Sequence, residues 1–162
     1  MNEWVALALS IALCFAAAGI GTLSTVDGLR AWYPSLRKPS WNPPNAVFGP
    51  VWTVLYLMMA VAAWLVWRAG DGTAVALGAF AVQLALNVLW SVVFFGRRDV
   101  RAAAVVIALL WVAIAVTMAA FWPISPLAAA LLVPYLAWVT FASLLNLAIA
   151  RLNPTALPVE RR

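Results

Sequence analysis

The stretch AAAVVIALLWVAIAVTMAAF, residues 102–121, is a run of twenty residues without a single charge. A helix rises 1.5 Å per residue, so a helix of this length extends about 30 Å, which is the thickness of the hydrocarbon core of a bilayer. Only Trp111 and Thr117 carry an N–H or O–H group in their side chains. We therefore expect these residues to form a membrane-spanning helix.

Four further apolar runs lie before and after this one. They cover residues 4–23, 46–67, 74–95 and 127–152, and polar residues or prolines separate them. Strands of a transmembrane β-barrel would alternate apolar and polar residues, whereas these runs are continuously apolar. The sequence thus predicts an all-α integral membrane protein, a five-transmembrane-helix bundle that forms a single domain over residues 1–162.

Composition excludes several classes of function. The chain is 67% hydrophobic and 9% charged, whereas soluble domains are roughly 45–50% apolar and about 25% charged. Its ten Lys and Arg are spread over several connections, so we expect no nucleic-acid partner. The sequence has no histidine, which is the commonest general base and metal ligand, so we predict no metal site and no obligatory cofactor. Cys14 is the only cysteine, so no internal disulfide can form.

The first apolar run has a signal peptide as its alternative interpretation. A signal peptide needs a positive start, but Met-Asn-Glu precedes this run. The run is also about 20 residues long, against about 7–15 for the apolar part of a signal peptide. We interpret it as the first span.

The basic residues divide unequally between the two sides of the predicted bundle. Arg68 is the only one on the side that carries the N-terminus and the connections at 68–73 and 122–126. The other side carries Arg30, Arg37, Lys38, Arg97, Arg98, Arg101, Arg151, Arg161 and Arg162. Because Lys and Arg collect on the cytoplasmic side, the N-terminus is predicted to face out and the C-terminus the cytoplasm.

Three of the predicted helices carry a face on which aromatic or amide side chains, together with one alanine, lie three or four residues apart. These are Trp52 and Tyr56 in the second, Gln83, Asn87 and Trp90 in the third, and Tyr135, Trp138, Ala142 and Asn146 in the fifth. Residues at this spacing share one helix face. If the faces converge, they form a mostly apolar pocket that suits a large planar ligand. The alternative is that these groups join neighbouring helices, as amides and hydroxyls often do in membranes.

The connection TVDGLRAWYPSLRKPSWNPPN, residues 25–45, is long and contains four prolines and three aromatic residues. A connection of about 20 residues without regular structure is uncommon and is often a functional lid. The alternative is a belt of aromatic side chains at the membrane interface.

Catalytic sets that depend on histidine cannot exist in this chain. The five acidic residues lie near helix ends or in connections, so none offers an intramembrane proton relay. A classical enzyme is therefore not predicted, and neither is an ion-driven pump.

Motifs along nearly the whole chain resemble the TspO/MBR family, which comprises bacterial tryptophan-rich sensory proteins and the animal translocator protein, also called the peripheral benzodiazepine receptor. They are WY at 32–33, KPSWNPP at 38–44, VWTVLY at 51–56, QLALNVLW at 83–90, FFG at 94–96, VPYLAW at 133–138, FA at 141–142 and LN at 145–146. The resemblance implies a member of the bacterial type.

The resemblance implies a five-helix bundle, usually a homodimer, that binds porphyrins such as protoporphyrin IX or haem-type tetrapyrroles, and other flat hydrophobic ligands. It implies a receptor, sensor or carrier. The family's ligand pocket corresponds here to Tyr33, Pro43, Trp52, Tyr56, Asn87, Trp90, Trp138 and Ala142, and Gln83 joins them because it shares the face of Asn87.

Two alternatives remain open for the function. One is oxidative, light-driven breakdown of bound porphyrin, with Trp52 and Trp138 as redox partners. The other is a small-molecule transporter, although five helices do not form an even inverted repeat.

Two further predictions concern the partners of the protein. The resemblance also implies sterol-like or drug-like hydrophobic ligands as partners. Animal relatives carry a sterol motif with a tyrosine near the end of the fifth helix, but Leu147 stands at that position here, which leaves sterol binding through this element an open question. A homodimer is predicted through small residues, which let helices approach closely in lipid. These are Ala12, Ala16, Ala17, Gly19 and Gly21 in the first helix and Ala76, Gly78, Ala79 and Ala81 in the third.

Overall fold

The structure is a computed structural model that describes residues 2–154, except for the side chains of Ser24 and Asp27. Arg161 and Arg162, which enter the prediction of orientation, lie outside the described residues. Five segments are long and apolar enough to cross a membrane: Glu3–Leu23, Asn45–Arg68, Ala74–Gly96, Val100–Phe121 and Pro126–Leu152. Residues 2–154 contain helices and connections but no strand. The predicted all-α, five-span fold is confirmed.

Six α-helices build these spans. They are α1 (Glu3–Asp27), α2 (Asn45–Arg68), α3 (Ala74–Ser91), α4 (Val100–Phe121), α5 (Pro126–Leu131) and α6 (Val133–Leu152). Polar residues cap apolar helices at their first turns, where backbone N–H groups lack partners. Asn2 accepts from the N–H of Trp4 at the start of α1, and Asp99 accepts from the N–H groups of Arg101 and Ala102 at the start of α4.

The connection after the first span differs from the prediction. Residues 25–27 still belong to α1, and the chain continues as a π-helical turn, Gly28–Trp32, and a 3-10 turn, Tyr33–Ser35. The prediction of a connection without regular structure from residue 25 was therefore wrong for its first part. Polar residues mark where a helix leaves the membrane, but a helix continues in water as long as its backbone bonds are made. Within this connection, only residues 36–44 lack helical structure, and we call them the lid.

The fifth span is two helices and not the single helix predicted over 127–152. The break lies at Leu132, between α5 and α6. Pro134 follows it, and proline has no N–H to continue the helical ladder while its ring crowds the preceding turn. The two helices together still make one span.

The helices pack in a bundle with an apolar core and an apolar outer surface. Helix α3 packs against α4, α4 against α6, and α1 against both α2 and α3. Met59, Leu110 and Ile114 are fully buried in the core. On the outside, Leu23 and Val75 are 81% and 82% exposed. Such side chains cover the bundle where it meets lipid.

Two glycines set how closely α1 approaches α3. A Cβ atom added at Gly21 would lie 3.4 Å from the Ser91 hydroxyl oxygen, and one added at Gly28 would lie 2.5 Å from the Phe95 carbonyl oxygen. Phe95 belongs to a π-helical turn, Val92–Gly96, that continues α3. The second half of α1 therefore leans on α3.

Candidate ligand cavity between α1, α2, α3 and α6

A cavity of about 510 Å³ lies between α1, α2, α3 and α6. Small-molecule sites fall in a range of about 300–1,000 Å³. Residues from four helices and the turns that follow α1 and α3 form the wall. They are Phe15, Gly19, Thr22 and Thr25 from α1, Leu29 and Tyr33 from the turns after α1, Phe48, Gly49, Trp52, Thr53 and Tyr56 from α2, Asn87 and Trp90 from α3, Phe94 and Phe95 from the turn after α3, and Ala142, Asn146 and Ile149 from α6. None of the lining residues that the structure describes is charged. The cavity thus suits a ligand with a large apolar surface.

A chain of hydrogen bonds joins three helices at the cavity. The Tyr56 hydroxyl donates to Asn87 Oδ1 over 2.6 Å, and Asn87 Nδ2 donates to the Tyr135 hydroxyl over 3.0 Å. Tyr56 and Asn87 line the cavity, whereas Tyr135 is fully buried behind it. The Asn87 amide therefore joins neighbouring helices and also forms part of the cavity wall.

A second pair of polar groups closes another part of the wall. Trp90 Nε1 donates to Asn146 Oδ1 over 3.2 Å, and Asn146 Nδ2 donates to the carbonyl of Val100 over 2.8 Å. Trp90 and Asn146 are buried and both line the cavity. Their hydrogen-bonding groups are already paired within the protein.

Aromatic rings supply the flat parts of the wall. The Trp52 ring lies 5.6 Å from that of Tyr56 and 6.2 Å from that of Tyr135. The Tyr33 ring lies 6.3 Å and 5.9 Å from Phe94 and Phe95. Rings at these distances attract each other, so the wall is held in place before any ligand arrives.

Tyr33 connects the cavity to the lid. Its ring lines the cavity, and its hydroxyl donates to Asn42 Oδ1 over 2.7 Å. Burial raises the pKa of Tyr33 above its ordinary value, so the hydroxyl keeps its proton and continues to donate. Lys38 Nζ donates to the carbonyls of Tyr33, Pro34 and Leu36, over 2.8, 3.3 and 3.0 Å. These bonds fold the lid tightly onto Tyr33.

The lid is also fastened to the end of α6. The N–H of Arg37 donates to Asn153 Oδ1 over 3.0 Å, and Asn153 Nδ2 donates to the Arg37 carbonyl over 2.9 Å. The Trp41 ring lies 5.7 Å from Phe141 of α6. The lid therefore has one attachment at Asn153 and another at Phe141.

The structure brings most of the predicted site residues to one cavity. Tyr33, Trp52, Tyr56, Asn87, Trp90 and Ala142 line it. Pro43 does not, and its carbonyl accepts from Asn42 within the lid. Gln83 is buried in the core, where its Nε2 lies 3.9 Å from the sulfur of Met59.

Trp138 lies outside the cavity as well. Its ring is 5.8 Å from Phe48, which lines the cavity, and Trp138 itself lines a separate open groove with Pro50, Met58 and Pro134. One aromatic ring therefore separates Trp138 from the cavity.

Sequence reasoning missed the contribution of α1. Thr22 and Thr25 line the cavity, and each hydroxyl donates to a carbonyl of α1 itself. Their spacing of three residues is a signal of a shared face. Thr22 lies at the end of the predicted first span and Thr25 in the predicted connection, so the two were not assigned to one face. Gly19 and Gly21, predicted as dimer contacts, also line the cavity.

A family model described as TspO/MBR family matches residues 10–152. The chain belongs to the TspO/MBR family. The resemblance given by the motifs is thereby confirmed, and with the five spans it establishes an integral, multi-pass membrane protein.

Curated relatives agree with this membership. The tryptophan-rich protein TspO of Chlorobaculum tepidum is 46% identical over 95% of this chain and 100% of the relative. The tryptophan-rich sensory protein of Cereibacter sphaeroides is 42% identical over 93% of each chain. The translocator protein of Homo sapiens is 47% identical over 78% of this chain and 77% of the relative. TspO/MBR members of bacteria and animals are thus similar to this chain over most of its length.

Proposed function

We propose that this protein is a membrane sensor or receptor that binds porphyrins, and other flat hydrophobic ligands, in the cavity between α1, α2, α3 and α6. The observation that carries the proposal is an uncharged cavity walled by Trp52, Tyr56, Trp90 and Tyr33. A role in sensing is supported by relatives that are named sensory and translocator proteins.

The paired polar groups of the wall favour a ligand that presents a flat apolar face to the cavity. Tyr56 and Asn87 bond to each other, as do Trp90 and Asn146. A ligand rich in polar groups would have to break these bonds, and an unpaired buried polar group costs about 1–3 kcal/mol. A flat aromatic ligand instead gains contact area with the rings and leaves the bonds intact.

Oxidative breakdown of the bound porphyrin is the second candidate function. Trp52 favours it, since this oxidisable indole lines the cavity and contacts the rings of Tyr56 and Tyr135. Trp138, the other proposed redox partner, lies one ring farther away. The absorbance of bound porphyrin, followed in light and in darkness with dioxygen present, separates breakdown from binding.

A pair of substitutions on α6 tests the cavity directly. Ala142 lines the cavity, whereas Ala137 lines the groove beside Trp138. We expect Ala142→Phe to fill the cavity and abolish saturable quenching of tryptophan fluorescence by protoporphyrin IX in nanodiscs. Ala137→Phe should bind as the unsubstituted protein does.

Three results would contradict the proposal or part of it. Quenching that rises linearly with porphyrin, as with empty nanodiscs, would refute a binding site. Loss of binding in Ala137→Phe alone would place the ligand in the groove. If both variants bind like the unsubstituted protein, with unchanged melting temperatures, the ligand occupies neither place.

A further inference from the structure

Helices α1 and α2 are joined along the part that begins with the N-terminus of α1. The Trp64 indole donates to the Glu3 carbonyl over 3.0 Å, and Arg68 pairs with the Glu3 carboxylate at 3.4 Å. Farther along, the Ser10 hydroxyl donates to the Ala60 carbonyl over 2.8 Å. These contacts close the gap between the two helices on that side of the bundle.

The second half of α1 instead follows α3. The Phe15 ring still lies 6.4 Å from the Tyr56 ring of α2. Beyond it, Gly21 and Gly28 bring α1 against Ser91 and the π-helical turn of α3. Because α1 leans toward α3 here, it leaves α2, and a gap opens between α1 and the beginning of α2.

Four small residues border this gap, which we call the window. Gly19 and Thr22 lie on α1 and Gly49 and Thr53 on α2; all four are exposed and also line the cavity. A Cβ atom added at Gly19 or Gly49 would meet no other atom within 4 Å. The cavity wall is therefore exposed where α1 and the beginning of α2 line it.

The residues that border the window lie within the first two apolar spans, Glu3–Leu23 and Asn45–Arg68. Gly19 lies sixteen residues after Glu3, about 24 Å along a helix, and within the apolar span that ends at Leu23. The hydroxyls of Thr22 and Thr53 donate to the Ala18 and Gly49 carbonyls of their own helices. The border thus offers hydrocarbon an apolar surface.

The other way into the cavity, through the lid, is closed by hydrogen bonds. Entry there would separate Tyr33 from Asn42 or Arg37 from Asn153, and Lys38 would lose its carbonyl partners. Entry through the window breaks none of these bonds.

From this geometry we propose that flat apolar ligands enter and leave the cavity sideways, from the bilayer, through the window between α1 and α2. The proposal rests on the proposed function. It assigns the ligand to molecules dissolved in the membrane, and it leaves the lid closed while ligands enter and leave.

Leucine at the window tests this route. Gly49→Leu and Gly19→Leu should slow both association and dissociation of protoporphyrin IX by about fivefold or more, with a smaller change in Kd. Ala108→Leu is the matched control, because Ala108 is exposed on α4 and does not line the cavity. Stopped-flow tryptophan quenching measures the rates on protein in liposomes, with porphyrin partitioned into the lipid beforehand.

A variant of the lid distinguishes the two routes. Asn153→Ala removes the pair with Arg37 and, if ligands enter from lipid, leaves both rates unchanged. Faster rates in Asn153→Ala together with normal rates in Gly49→Leu would overturn the proposal in favour of entry through the lid. Saturable binding with normal rates in both window variants would also refute the window and leave the proposed function intact. Absence of saturable binding in the unsubstituted protein would refute the proposed function itself.

Discussion

The hydroxyl of Tyr56 lies 2.6 Å from Oδ1 of Asn87, so a single hydrogen bond ties α2 to α3 and forms part of the cavity wall. Asn87 then donates to Tyr135 of α6. Its amide is therefore shared by three helices, and this predicts that stability and ligand binding depend on the same residue.

Removing the amide should cost more stability than removing one hydroxyl. Tyr56→Phe loses one hydrogen bond, which in membrane proteins is worth on average about 0.6 kcal/mol. Asn87→Leu leaves the buried hydroxyls of Tyr56 and Tyr135 without this partner, so we expect a loss of about 1–3 kcal/mol. Unfolding by SDS, monitored by circular dichroism, measures both. Equal stability of the two variants would show that Tyr135 finds another partner.

Tryptophans at different distances from the cavity should affect porphyrin affinity differently. Trp52→Ala removes a flat wall and should weaken binding by about tenfold or more. The sequence alone predicts the same loss for Trp138→Ala, but its position behind Phe48 predicts a smaller one. Trp64→Ala is the control, because Trp64 contacts Glu3 and Arg68 and lies outside the cavity wall. Fluorescence titration compares the three, and an equal loss in all would indicate general destabilisation.

Gly28 should tolerate no side chain. Gly28→Ala would place a methyl group 2.5 Å from the Phe95 carbonyl oxygen, which is backbone and cannot rotate away. We expect a loss of about 1–3 kcal/mol of stability, typical of overpacking. Gly19→Ala, which meets no atom within 4 Å, should be neutral or slightly stabilising. Thermal melting in detergent compares the two, and equal melting temperatures would mean that α1 shifts without cost.

A homodimer stays a prediction, and the structure redirects its test. Ala17 is buried within the protomer, so Ala17→Leu would disturb the fold and not a dimer contact. Ala74, Gly78, Ala81 and Ala85 are all exposed and form a stripe of small residues on α3. We expect Gly78→Leu to convert dimers into monomers, measured as the mass of the detergent-solubilised protein. Ala108→Leu on α4 should keep the mass of the unsubstituted protein. A dimeric Gly78→Leu variant would exclude this face, and a monomeric unsubstituted protein would exclude the dimer.

The orientation predicted from basic residues can be tested by labelling single cysteines. Ser35→Cys and Arg97→Cys should react from the cytoplasmic side and Asp71→Cys from the opposite side. Asp71 and Arg97 are chosen because their neighbours Gly70 and Arg98 have positive φ, where a new side chain adds strain. Cys14 is 1% exposed and adds little background. Labelling of positions 35 and 71 from the same side would contradict five spans.

Spacing predicts which residues share a helix face, but it does not predict which residues of other helices contact that face. Spacing predicts that Tyr56 shares a face of its helix with Trp52, and Asn87 a face of its helix with Gln83 and Trp90; the structure shows that Tyr56 and Asn87 meet. Gln83 shares the face of Asn87, yet it lies one turn away, where Met59 of α2 fills the space that the cavity occupies farther along. Spacing shows which residues point the same way, whereas the depth of a cavity depends on how helices from distant parts of the chain cross.

The approach of α1 to α3 was hidden for a related reason. Gly21 has no side chain that would indicate its partner. A small residue fits a contact with a second protomer as well as a contact with another helix of its own chain. Only the position of Ser91 beside it decides between the two. The window depends on that choice and could not be predicted from the sequence.

The Asn153 side chain, which holds Arg37 by two hydrogen bonds, is followed at once by Pro154, whose carbonyl accepts from Arg101. A fluorescent protein or affinity tag joined directly after Pro154, in place of residues 155–162, would therefore pull on Asn153, which is one of the two attachments of the lid. Preparations that carry such a tag and preparations tagged before Asn2 then differ in how the lid is attached, even when their spectra and masses agree. Reporters for this protein belong at the N-terminal end, where the lid has no attachment.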